Sequence, residues 1–216
     1  MPTGASALLQ AWRHTGREAG GSLVLPDGCV DLIGIQALGA APRWKLSSLI
    51  DRACRIEGSA GQRYAGYRLQ PGARIHAAKL LQAVEGLELD DTPRVLERLD
   101  ATTGLDARIQ EALQALSTEA CLKQAQRQLG VSERSLQRVI SAATGRPPLY
   151  WKRLSRLRRA ARELSGLLPL AHIAADHGYA DQAHMNLEFR HWLGLSPAQV
   201  RHRSDVLRLL GEPGYG

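Results

Sequence analysis

Apolar residues in the second half of the chain recur at intervals of three and four. Leu105, Ile109, Leu113 and Leu116 fall on one face of a helix. Thr118 is placed to cap a following helix that runs through Leu122 and Ala125 to Leu129, and Gly130 ends it. Ser132 caps a third helix, with Leu136, Val139 and Ile140 facing inward, closed at Gly145. After Pro147 and Pro148 a long helix is expected over 149–164, with Leu154, Leu157, Ala161 and Leu164 on its buried side. Leu170, Ile173 and Ala174 predict a short helix closed by Gly178. Asp181 caps a helix bearing Met185, Phe189 and Trp192, closed by Gly194. Ser196 and Pro197 open a last helix, with Val200, Val206, Leu207 and Leu210 apolar.

The first half carries a different pattern. Short apolar runs alternate with glycine and proline turns. Residues 22–25, 29–35, 62–69 and 74–75 read as strands, parted by turns at Pro26-Asp27-Gly28 and Pro71-Gly72. A short helix is expected over 76–84. The fold class is therefore α+β, a small β-rich N-terminal domain followed by an all-helical part. The boundaries expected are 1–103 and 104–216.

The helical part repeats a unit: a short helix, a glycine turn, a polar cap, then a second helix ended by glycine. The caps Ser132 and Asp181 bracket one long basic helix. A short helix turning into a capped second helix is the helix-turn-helix arrangement, in which the second helix reads DNA.

Charge supports this. The chain carries +7 with histidines neutral. Residues 1–103 hold a net +1 and residues 104–216 a net +6, and the run 134–162 has nine basic residues and no acid. Such asymmetry suits a polyanion-binding module. Aromatic residues are 5% of the chain, with one Phe, which argues against base-stacking platforms for single strands. The apolar runs are too short to span a membrane. The three cysteines are far apart, and neither a disulfide framework, a metal site nor a cofactor is expected. A cytoplasmic location follows as the expectation.

Base-reading chemistry is placed on the two capped helices. Arg pairs with guanine O6 and N7, and Gln or Asn with adenine N6 and N7. Arg134, Gln137 and Arg138 lie outside the apolar stripe of the first helix. Gln182 and Asn186, four apart, share a face of the second, where Glu188 also reads as an outward polar residue. Ser132, Lys152, Arg153, Arg159 and Arg190 are the expected phosphate contacts, which position a protein without specifying sequence.

Residues 105–203 resemble the tandem helix-turn-helix domain of the AraC/XylS transcriptional regulators. The resemblance rests on the run from Ile173 through His177-Gly178-Tyr179 and Asp181-Gln182-Ala183-His184-Met185 to Phe189, Trp192-Leu193-Gly194 and Ser196-Pro197. Leu129-Gly130-Val131-Ser132 and Arg156-Leu157-Arg158-Arg159-Ala160-Ala161 extend it upstream. It implies a DNA-binding protein with both reading helices in successive major grooves, and it points to Ala183 and position 187 as further readers. The family usually has arginine at that position; here it is Leu187.

Residues 25–33 and 67–73 resemble a small domain of unknown function found ahead of this module. The expectation is a non-catalytic sensing or dimerisation unit, with no catalytic residue. Cys29, Tyr67, Arg68 and Arg74 are the residues that would line a ligand site. Double-stranded DNA is the expected partner, with RNA polymerase, a small-molecule effector and a second copy of the chain as further ones. Two alternatives stay open: an architectural or protein-interaction module without ligand control, and a redox or electrophile sensor built on Cys29.

Overall fold

The computed structural model describes residues 6–16 and 20–216. The chain divides into two compact units. The first comprises Met1–Val24, Cys29–Leu49 and Arg55–Ala107; the second comprises Leu25–Gly28, Ile50–Cys54 and Arg108–Gly216. The expected order, a β-sheet region followed by helices, is what the structure shows.

The first unit is built on an antiparallel sheet of four strands, β1 (Leu8–Thr15), β3 (Val30–Gln36), β4 (Arg43–Leu46) and β6 (Arg63–Leu69), in the order β1-β6-β3-β4. Two small sheets accompany it: β2 (Gly20–Val24) with β5 (Cys54–Gly58), and β7 (Arg74–Ile75) with β8 (Thr103–Gly104). Helices α1 (Ala77–Val84) and α2 (Thr92–Thr102) supply the other layer of the core. Strands β1, β4, β5 and β8 and helix α2 went unread in the sequence. Asp91 caps α2 by accepting the amide of Arg94 at 3.4 Å, and Pro93 sits in its first turn, where a missing N–H costs nothing.

Alternation along the strands decides which side chains meet the helices. Leu32 of β3 lies opposite Tyr67 of β6, and both are buried with Ala65, Leu69, Leu80, Val84, Leu89, Val95 and Leu99. Each large apolar side chain buried here stabilises the unit by roughly 1.5–3 kcal/mol before conformational entropy is counted. On the opposite face the indole of Trp12 lies across Gly66. A Cβ at Gly66 would stand 1.9 Å from the indole Cε2, so only glycine admits this contact. Arg68 and Asp31 pair on that face, Nε to Oδ1 at 3.1 Å.

This alternation corrects the expected ligand lining. Tyr67 and Arg68 are consecutive strand residues and leave opposite faces of β6. Tyr67 is a core residue whose hydroxyl donates to Thr92 Oγ1 at 3.4 Å, whereas Arg68 is tied to Asp31. Arg74 belongs to the separate β7-β8 sheet. Cys29, just before β3, is buried at 5% exposure. The four do not line one site.

The second unit contains eight helices among the described residues: α3 (Ala107–Thr118), α4 (Leu122–Leu129), α5 (Glu133–Thr144), α6 (Pro148–Glu163), α7 (Leu170–Asp176), α8 (Gln182–Leu193), α9 (Pro197–Arg201) and α10 (Ser204–Gly211). Helix α6 is the hub and packs on α4, α5, α7 and α10. It buries Trp151, Leu154, Leu157, Ala160 and Ala161, so it is enclosed on more than one face. Gly130, Gly145 and Gly194 end α4, α5 and α8 in the left-handed conformation, as the sequence predicts.

Three expectations for the helices are corrected. Thr118 does not cap α4: it ends α3, its hydroxyl donating to Gln114 O at 3.0 Å. The cap position belongs to Cys121, whose amide donates to Gln124 Oε1 at 3.2 Å. Val139 is not inward but 37% exposed, because α5 is held by a narrow stripe of Leu136 and Ile140. The last helix is two, α9 and α10, parted at His202 and Arg203.

Two short segments from earlier in the chain complete this unit. The amide of Ala53 donates to Trp192 O at 2.7 Å, and Asp51 pairs with Arg146 at 2.9 Å. The amide of Tyr215 donates to Asp27 O at 2.8 Å.

Candidate nucleic-acid interface

Helix α5 begins at Ser132, whose Oγ accepts the Ser135 amide at 3.2 Å. Beyond that cap the helix exposes Glu133, Arg134, Gln137, Arg138 and Val139. The carboxamide of Gln137 donates to Ser141 Oγ at 3.2 Å, which lays it along the helix surface. Ser132 is exposed, and its hydroxyl is engaged by the cap. Two cations and an amide thus occupy the first two turns, near the free N–H groups that favour phosphate.

Helix α8 begins the same way. Asp181 Oδ1 accepts the His184 amide at 2.7 Å. Gln182, Ala183 and Leu187 are exposed and Asn186 is half-buried beside them. His184 is a packing residue: its Nδ1 accepts the Ala180 amide at 3.2 Å and its ring stands edge-on to Tyr179. Arg190 is exposed in the last turn. Inside, α8 buries Met185, Glu188, Phe189, Trp192 and Leu193.

Glu188 is the residue that outward-face reasoning misplaced. It is 8% exposed and takes the guanidinium of Arg156 at 2.5 Å and Nε of Arg153 at 3.4 Å. Arg156 also lies over the ring of Tyr179, 4.4 Å from its centroid, and donates to Gly178 O at 3.0 Å. This cluster ties α8 and the turn before it to α6. Burial holds the Tyr179 phenol protonated well above the ordinary tyrosine range, the nearby Glu188 charge adding to the effect. The signal was present in the sequence: Met185, Glu188, Phe189 and Trp192 follow one helical stripe.

The basic helix α6 divides its cations between surface and interior. Lys152 is not a phosphate contact. It is 7% exposed and its ammonium donates to the carbonyl of Glu119. Burial, then repulsion from Arg159 and Arg156, pushes its pKa down to about 8. Arg158 is fully buried and donates to Glu212 O at 2.7 Å. Arg153 remains half-exposed beside Glu188. Arg159 is half-buried, and its Nε is enclosed without a hydrogen bond.

No group of three or more His, Cys, Asp or Glu that could hold a metal occurs among the described residues. No helix among them is long and apolar enough to cross a membrane.

A family model described as a helix-turn-helix domain matches residues 125–203. No protein with a curated description matches the chain. Among solved structures, the C-terminal domain of AraT, a response regulator from Geobacillus stearothermophilus, is 28% identical. The match covers 45% of this chain and 86% of that one, with a TM-score of 0.42. The DNA-binding domain of AdpA, a global transcriptional factor solved with a target DNA, is 26% identical over 44% of this chain and 86% of its own, with a TM-score of 0.38. ToxT from Vibrio cholerae O395 is 9% identical over 94% of this chain and 97% of its own, with a TM-score of 0.49. The family match begins within α4, takes in both capped helices and ends just past α9: residues 125–203 are an AraC-type helix-turn-helix domain.

Proposed function

We propose that this chain is a DNA-binding transcriptional regulator that selects its DNA by sequence, with α5 and α8 as the two reading helices in the major groove. Arg134, Gln137 and Arg138 are the base readers of the first motif, and Gln182 and Asn186 those of the second. Ser132, Arg153, Arg159 and Arg190 contact phosphates. The observation that carries this reading is the outward face of α5: two arginines and a glutamine exposed in the first turns after a capped N-terminus. That is the side-chain set for guanine and adenine edges, delivered where a recognition helix meets them.

The first unit is assigned a control role, taking a small-molecule effector or pairing with a second copy. Its near-neutral charge supports a task other than holding DNA. RNA polymerase is the natural further partner of a regulator bound at a promoter.

The test is selection of the full chain against a random duplex pool. A recurrent sequence should emerge and bind at least a thousandfold more tightly than unrelated duplex. Equal binding to all duplexes would replace sequence reading by an architectural role.

A further inference from the structure

The two reading helices offer different chemistry, and the difference falls at Leu187. This leucine is 68% exposed on α8. An exposed leucine on a helix that buries Met185, Phe189, Trp192 and Leu193 has no part in holding that helix down. Ala183, one turn earlier, is exposed on the same stripe. Gln182 and Asn186 lie beside the pair. Together they make an apolar strip flanked by two carboxamides.

The first two turns of α8, 182–189, contain no Arg or Lys. The matching turns of α5 carry Arg134 and Arg138. A guanine edge asks for a cation, as on α5. An A·T pair asks for a carboxamide on adenine and an apolar contact on the thymine methyl. The surface of α8 supplies the second set.

We infer that α8 reads A·T pairs, with Leu187 and Ala183 packed on the C5 methyl of thymine and Gln182 or Asn186 on the adenine edge. The operator is then two unlike halves, guanine-containing under α5 and A·T-rich under α8. This rests on the sequence-reading function proposed above. The apolar strip is continuous with that reading surface, which is why its occupant is a base.

Uracil provides the test, because it lacks only the C5 methyl and keeps the polar groove edge of thymine. The full chain is first used to select a duplex from a random pool. The winning duplex is then resynthesised with deoxyuridine in place of thymidine, one position at a time. At one or two positions in a single half, the wild type should lose about fourfold in affinity. The Leu187→Ala protein should bind the thymidine and deoxyuridine duplexes equally there. Selection repeated with Leu187→Arg should bring guanine to that position. If deoxyuridine is silent everywhere for the wild type, or weakens Leu187→Ala as much as wild type, the methyl contact is wrong while sequence reading stands. If no sequence emerges from the pool, both fall.

Discussion

Glu188 and Arg156 form the contact that fixes α8 to α6, the helix joining the two motifs. The carboxylate takes the guanidinium at 2.5 Å, with the residues 8% and, for the side chain, 16% exposed. The same guanidinium covers Tyr179 and bonds to Gly178, so one side chain anchors both α8 and the turn that launches it. Taking away Glu188 leaves Arg156 and Arg153 without their shared anion. Glu188→Ala should lower the stability of the chain by about 3 kcal/mol, read from urea denaturation by tryptophan fluorescence, and Glu188→Gln by less. Unchanged stability in the alanine variant would show that the cluster contributes no more than a surface pair.

For the first motif, Gln137→Ala and Arg138→Ala should each cost about 1–3 kcal/mol on the selected duplex and relax preference at one base position. Binding measured in parallel on unrelated duplex should change far less. A loss of the same size on both duplexes would assign these side chains to phosphate.

The neighbours Lys152 and Arg153 separate a buried cation from an exposed one. Arg153→Ala should weaken every duplex alike and reduce the slope of log affinity against log salt by roughly 1. Lys152→Met should leave that slope unchanged, because the ammonium is held inside against the Glu119 carbonyl. Titrations at three salt concentrations decide between the two outcomes.

Lys152 also predicts a pH dependence. Its folded pKa of about 8 lies below the ordinary 10.5. Between those values the unfolded chain binds more protons, so the wild type gains stability as pH rises through that window. Below pH 8 the charged form is buried at a penalty of about 3 kcal/mol. The Lys152→Met protein should therefore exceed wild type most at pH 7, and the gap should shrink by pH 10.5. Taking the difference between the two proteins removes the opposite trend from the buried phenols of Tyr179 and Tyr215, whose pKa values burial raises. A gap that is constant with pH would sink the assignment.

In the first unit, Gly66→Ala should destabilise by at least about 1 kcal/mol, because the methyl meets the Trp12 indole. Trp12→Leu with Gly66→Ala should cost less than the two single changes summed, and a double-mutant cycle on thermal unfolding measures the difference. Additive effects would mean the indole moves aside freely.

Legibility in the sequence followed the strength of local signals. The capped helices were plain because Ser132, Asp181 and the glycines after α4, α5 and α8 act within a single turn of chain. Strand β1 was not, since Arg13 and His14 sit beside Trp12 and hide the alternation; Arg13 turns out to bond to Leu89 O at 2.9 Å and Thr92 Oγ1 at 2.7 Å, far along the chain. Helix α2 could have been found from Asp91, Pro93 and the spacing of Val95 and Leu99. The interior places of Lys152 and Arg158 were beyond reach, because the carbonyls that accept from them lie 33 and 54 residues away. Charge in sequence says what a side chain carries, not whether water sees it.

The unequal anchoring of α5 and α8 has a consequence for how such a protein acquires new targets. Both helices are 12 residues long, yet α5 commits only Leu136 and Ile140 to the interior while α8 commits five residues. Most of α5 is therefore open to replacement without loss of fold, and α8 is constrained from within. Retargeting, by natural drift or in the laboratory, should proceed through the first motif, with the second preserved as an inherited half of the address.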